Sequence, residues 1–190
     1  MGHTPEAEAV DICRDLIRID TSNYGDDSGP GERKAAEYVA ASLAEVGIES
    51  EIFESESGRS SLVARWGNQD SAKPGLLIHG HLDVVPAQEA DWKVAPFAAE
   101  VIDGYLFGRG AVDMKEMVAL EIGVVRLLAA DARVVGLDPA TDPIPGLRRD
   151  VLFTCTADEE AGGVHGAKWI AENRPDWLQA AGALNECGGV

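Results

Sequence analysis

Apolar positions recur along the chain in two rhythms, and the change of rhythm separates helices from strands. Over residues 5–19, Val10, Cys13, Leu16 and Ile17 fall on one side of a 3.6-residue repeat, the stripe of an amphipathic helix. A second stripe, Ala35, Val39, Leu43 and Val46, predicts a helix over 31–46, with Gly47 placed where a glycine ends a helix. Residues 48–53 and 61–66 alternate and are expected to pair as sheet-building strands across a polar turn. The apolar run 76–78 and the segment 151–156, apolar but for Thr154 and Thr156, read as buried strands. A short strand or a hairpin turning at Asp103-Gly104 is expected over 101–107, followed by a long helix over 114–130. Residues 131–149, rich in Asp and Pro, read as a surface connector, 164–173 as a helix and 182–185 as a last strand. Alternating strands and helices predict an α/β fold, a mostly parallel mixed sheet flanked by helices. The last strand has no closing partner in the sequence, so the domain is expected to be incomplete at its carboxyl end.

Composition changes this picture only by exclusion. The 190 residues suffice for one domain with a real core, and their 45% hydrophobic content is that of a globular protein. No apolar run is long enough to cross a bilayer, the first residues lack the pattern of a secretory signal, and Glu6 argues against myristoylation after Met1-Gly2. No membrane association is therefore expected. A net charge of -17 argues against nucleic acid, whose phosphates need clustered Lys and Arg. The three cysteines, Cys13, Cys155 and Cys187, are widely spaced and odd in number. They are expected to be reduced thiols in a cytoplasmic protein, with no disulfide framework and no cysteine-ligated zinc. Cys187 reads as a small buried thiol.

Candidate chemistry begins where the run Leu76-Leu77-Ile78-His79-Gly80-His81-Leu82-Asp83 turns polar. Open α/β sheets carry their reactive groups beyond the carboxyl ends of the strands. In extended backbone, residues two apart share a face, so His81 and Asp83 can act together, the carboxylate fixing the imidazole tautomer and leaving one nitrogen for a metal. Further carboxylates stand at later element boundaries: Asp113, Glu159-Glu160 and Glu186. Each has a bland explanation. Asp113 with Glu116 matches a helix N-cap and capping box, the Glu pair a solvated loop, Glu186 an exposed strand end, and His81 a satisfied buried histidine. Jointly they fall at one edge of the expected sheet, as a ligand set suited to Zn²⁺, Co²⁺ or Mn²⁺. A shared carboxylate can bridge two such ions about 3.5–4 Å apart. Adjacent glutamates in extended backbone diverge, so one can ligate while the other takes the proton of a bound water acidified to a pKa of about 7. The loop 88–99, with Trp92, Pro96 and Phe97, reads equally as a packed surface loop or as one wall of a cleft.

Three segments together carry a resemblance. Gly80-His81-Leu82-Asp83-Val84-Val85-Pro86, Gly108-Arg109-Gly110-Ala111-Val112-Asp113-Met114-Lys115 and Ala157-Asp158-Glu159-Glu160-Ala161-Gly162-Gly163 match, in order and spacing, the motifs of one zinc-dependent metallopeptidase and deacylase family. It is the family of aminoacylase, succinyl-diaminopimelate desuccinylase, acetylornithine deacetylase and bacterial carboxypeptidase G. The resemblance implies two zinc ions, with Co²⁺ or Mn²⁺ as substitutes. His81 and Glu186 would bind one, Glu160 the other, and Asp113 would bridge both. Glu159 would be the general base, Asp83 would orient His81, and the Asp113-Met114 peptide would be cis. The implied reaction is hydrolysis of an amide bond of an N-acyl amino acid or small peptide, by hydroxide generated at the two zincs. Glutamate at position 186 resembles the deacylase and carboxypeptidase members.

The chain departs from the family pattern in one respect. Members carry a final His ligand after an inserted lid and dimerisation domain, and none of His3, His79, His81 and His165 matches it. Residues 1–190 are thus expected to be the N-terminal portion of a catalytic domain, inactive alone, whose full-length form pairs as a homodimer through the lid. The alternative is a truncated or degenerate non-catalytic homologue that binds metal weakly or serves as an interaction module.

Overall fold

The computed structural model describes residues 5–26, 28–70 and 72–186. Two helices, α1 (Pro5–Arg18) and α2 (Arg33–Ala44), precede the strands β1 (Ser50–Glu56), β2 (Arg59–Trp66) and β3 (Gly75–His81). A hairpin of β4 (Glu100–Ile102) and β5 (Tyr105–Phe107) leads to α3 (Lys115–Val134), and then come β6 (Val151–Thr156), the short α4 (Trp169–Asn173) and β7 (Ala180–Leu184). Asp103 and Gly104 both take positive φ, as a two-residue hairpin turn requires.

The main sheet has the order β1-β2-β6-β3-β7. Strands β1 and β2 pair antiparallel, as do β2 and β6, whereas β3 runs parallel to both β6 and β7. Only β2 therefore opposes the other four strands, and the sheet is mostly parallel, as expected. His81 pairs with Thr156, so β3 and β6 end level and release their next residues at the same edge.

Burial decides which face each helix covers. Leu62, Ala64 and Trp66 of β2 join Leu16, Ile17, Val39, Leu43, Val118 and Ile122 in the main core, under α1, α2 and α3. The intervening Val63 points the opposite way and packs with Phe53 and Ile170, beside Trp169 and Trp177. Each fully buried aliphatic side chain contributes roughly 1.5–3 kcal/mol relative to exposure. Helix α3 lies directly on β3: a Cβ on Gly80 would come within 2.7 Å of Val118 Cγ2. The buried Lys115 donates to the carbonyls of Leu16 (3.0 Å) and Ile19 (2.7 Å), satisfying the carboxyl end of α1. Burial lowers its pKa to about 8 against the pull of Asp20.

Two elements depart from the sequence expectation. Helix α3 continues to Val134, since Ala132 still finds the core. The helix expected over 164–173 is broken into a π turn, Val164–Lys168, followed by α4. Gly166 marks the break: a Cβ there would stand 1.8 Å from the Ala157 carbonyl oxygen. The loop 88–99 is fastened down, with the Arg109 guanidinium 5.2 Å over the Trp92 ring and the Arg109 N–H on the Pro96 carbonyl. Among the described residues, no helix is long and apolar enough to cross a membrane. Cys13 and Cys155 are free and buried, and Cys187 lies outside the described residues.

Candidate metal centre

His81 closes β3 and is fully buried. Its Nδ1 donates to the main-chain oxygen of Asp83 at 2.9 Å, while the Asp83 carboxylate stands off at 3.5 Å. The tautomer is thus set mainly by backbone, and Nε2 faces a set of acids. Asp113 Oδ1 lies 3.0 Å from it, Glu159 Oε2 3.8 Å and Glu186 Oε2 4.0 Å.

Each acid arrives from a different element. Asp113 precedes α3, and its peptide with Met114 is cis, as the resemblance implied. The helix begins after Met114 with no side-chain cap, so Asp113 is not spent as the N-cap of the bland reading. Glu159 and Glu160 follow β6 in a 3-10 turn, not in extended backbone as expected, and the turn is entered through a left-handed Asp158. They diverge nonetheless. Ligand atoms of His81, Glu159 and Glu186 lie within 4.8 Å of one another, and so do those of His81, Asp113 and Glu160. All five candidate residues gather around the imidazole, with Glu159 rather than Asp113 accompanying Glu186. Glu186 stands just past β7, and Glu160 also accepts the Val85 N–H.

Electrostatics follow from this crowding. Burial lowers the His81 pKa, but Asp83, Asp113 and Glu159 outweigh it and raise the value to about 9. A proton is thereby held at Nε2, where a cation would compete for it. Burial first, then Glu186, Asp83 and Asp113, push Glu159 upward against the His81 charge, and burial with Asp113 does the same to Glu160. One imidazole nitrogen among mutually repelling carboxylates is a donor set that fits divalent cations of the zinc type. His79 is engaged elsewhere, with Asn185 at 2.8 Å and Thr156 at 3.1 Å, and His165 lies on the π turn. A cavity of about 340 Å³ opens beside the cluster, lined by His79, Glu159, Gly162, Gly163, Lys168 and Glu186 among others.

Asp83 does more than the sequence suggested. Its buried carboxylate accepts the main-chain N–H of Glu159 at 3.0 Å and of Glu160 at 3.1 Å, plus the Asn23 amide at 2.8 Å. Burial pushes its pKa up, yet the adjacent His81 imidazole and its charge, the Asn23 amide and the Glu160 N–H hold it below the usual carboxylate value. Behind it lie Asn23, Arg59, Glu32 and Asp158, all buried and all missed by sequence reasoning. Arg59 opens β2, at a position that reads in the sequence as part of the polar turn before the strand. Nothing in the spacing of these polar residues sets them apart from ordinary loop and strand-end positions.

The chain is 35% identical over 169 residues to the succinyl-diaminopimelate desuccinylase of Phenylobacterium zucineum, an alignment covering 87% of this chain and 38% of that protein. The chain thus spans about two fifths of the length of such curated relatives. An M20 family metallo-carboxypeptidase from Sulfolobus solfataricus superposes with a TM-score of 0.75 at 22% identity, over 96% of this chain and 38% of that one. Bacillus subtilis YXEP, a dinuclear metal binding peptidase, superposes with a TM-score of 0.61 at 20% identity, over 95% and 42% of the two chains. The profile of peptidase family M20/M25/M40 matches residues 77–189, more than half of the chain and the part that holds all five gathered residues, so the chain belongs to that family.

Proposed function

We propose that this chain supplies most of the metal site of a hydrolase that cleaves an amide bond in an N-acyl amino acid or small peptide. The observation that carries the reading is the convergence of Asp113, Glu159, Glu160 and Glu186 on the single imidazole of His81. His81, Asp113, Glu160 and Glu186 are the proposed ligands of two zinc ions, with Co²⁺ or Mn²⁺ as workable substitutes. Bound there, such ions would acidify a water and polarise the scissile carbonyl.

The remaining work falls to the chain itself. Asp83 fixes the His81 tautomer through its main-chain oxygen and holds the Glu159-Glu160 turn through its carboxylate. Glu159 lines the open cavity, and burial with its neighbouring carboxylates raises its pKa, in the direction that suits a group which must accept and then release a proton. It takes one proton from the attacking water and delivers it to the amine nitrogen as the carbon–nitrogen bond breaks and the carbon–oxygen bond forms. The desuccinylase relatives favour an acylated amino acid as substrate, and the carboxypeptidase neighbour a small peptide. By the family resemblance, the whole protein would carry a lid, a further His ligand and a homodimeric form. The reduced thiols of Cys13 and Cys155 suit the cytoplasm.

Calorimetric titration of the purified chain with zinc chloride tests the reading. At least one ion should bind, and His81→Ala should abolish that binding. A chain with no His81-dependent zinc uptake would overturn the proposed ligand set.

A further inference from the structure

We infer that Asn23 is a positioning residue, whose side-chain amide, clamped by Arg59, fixes the Glu159-Glu160 turn by holding the two carboxylates that bracket it. The roles of the two glutamates rest on the function proposed above; the clamp does not.

An Asn side chain has two N–H donors and an oxygen with two lone pairs. In Asn23 all four are used. Nδ2 donates to Asp83 Oδ2 at 2.8 Å and to Asp158 Oδ1 at 3.1 Å. Oδ1 accepts from Arg59 Nη2 at 2.8 Å and from the Gly25 N–H at 3.0 Å. The reverse orientation would set the oxygen against two carboxylates and the amino group against a guanidinium, so the partners admit only one. Arg59 is held in turn by Glu32, Nη1 to Oε1 at 2.8 Å, with both side chains almost wholly buried. The Asn23 backbone is tied down separately, its N–H donating to the Val84 carbonyl just beyond β3.

What the amide grips explains its use. Asp83 receives the N–H groups of Glu159 and Glu160, and Asp158 receives the N–H of His165 through Oδ2. Asp158 also accepts through its main-chain oxygen from Ala161 and Gly163. One side chain therefore ties the exit of β3 to both ends of the turn that follows β6. Two buried carboxylates sharing one amino group repel each other, and the Arg59 cation behind the amide oxygen polarises it to donate more strongly. The metal-facing acids are thus placed by residues that never reach them.

Amide hydrogen exchange on the metal-free chain, read residue by residue by NMR, tests this in wild type and Asn23→Ala. The Glu159 and Glu160 amides should exchange at least about tenfold faster in the variant, while those of Phe153 and Cys155 in β6 keep their protection. Zinc affinity should fall about tenfold, the lower end for a group acting behind the ligands. Unchanged exchange at Glu159 and Glu160 would overturn the inference, and so would equal acceleration throughout β6, which marks a general loss of stability. Should Asn23→Ala not fold, Asn23→Ser, which keeps one donor, is read by the same criteria. A wild-type chain that binds no zinc would refute the proposed function alone, because the exchange measurement needs no metal.

Discussion

The main-chain N–H of Glu159 donates to the carboxylate of Asp83 at 3.0 Å, joining residues 76 positions apart. This bond makes one acid answerable for the placement of another. Asp83→Asn should therefore injure more than the imidazole. The amide would present a donor to at least one of the N–H groups that now find an acceptor, leaving it unsatisfied at a cost of about 1–3 kcal/mol. Zinc affinity should drop about 10–100-fold. Denaturant melts and zinc calorimetry check the two effects; an unaltered zinc affinity would mean that the Asp83 carboxylate does not place the Glu159-Glu160 turn for the metal.

The Glu pair separates under mutation if the proposed roles hold. In the full-length hydrolase, Glu159→Gln should abolish turnover while zinc content stays near that of the parent. Glu160→Ala should lose zinc and activity together. Because Glu159 lies 3.8 Å from His81 Nε2, metal analysis is the discriminating measurement. Loss of zinc in Glu159→Gln would move that residue into the ligand set.

Much of this site was legible because metal chemistry concentrates distinctive residues at element ends. His81, Asp113, Glu160 and Glu186 each stand beside an apolar run, so an α/β sheet is expected to gather them at one edge, while the roles proposed for them came from the family resemblance. The cluster behind them was not legible. Asn23 sits in a polar loop and Arg59 at the start of β2, where such residues are usually solvated, and only the folded register of Val84 and Asp158 reveals their burial. The break at Gly166 was hidden for a similar reason, since the close approach of Ala157 is a tertiary fact.

That approach makes a further prediction. Gly166→Ala would drive a methyl group into the Ala157 carbonyl, at the strand exit that feeds the Glu159-Glu160 turn. Relief requires backbone movement, so stability should fall by about 1–3 kcal/mol, as overpacking commonly costs. A lower urea midpoint with an unchanged slope is the expected result. An unchanged midpoint would show that the π turn relaxes without cost.

Glu121 carries the clearest pH signature away from the metal centre. It lies on the core side of α3, 8% exposed, with neither carboxylate oxygen partnered. Burial alone raises its pKa to about 8 from an ordinary 4.5. Buried Cys155 of β6 feels its charge and is itself held protonated, chiefly by burial. Between pH 4.5 and 8 the folded chain keeps the Glu121 proton while the unfolded chain releases it. The native state then binds more protons, so stability must fall as pH rises through this window. Below pH 4.5 both states are protonated and the penalty vanishes. Glu121→Gln removes the titration at nearly constant volume, so the difference between the two melting curves isolates this group from every other. Melting temperatures of parent and variant should agree near pH 4.5 and separate steadily towards pH 8, with the variant the more stable. Parallel curves would require that Glu121 find a partner or water that keeps its carboxylate charged inside the fold.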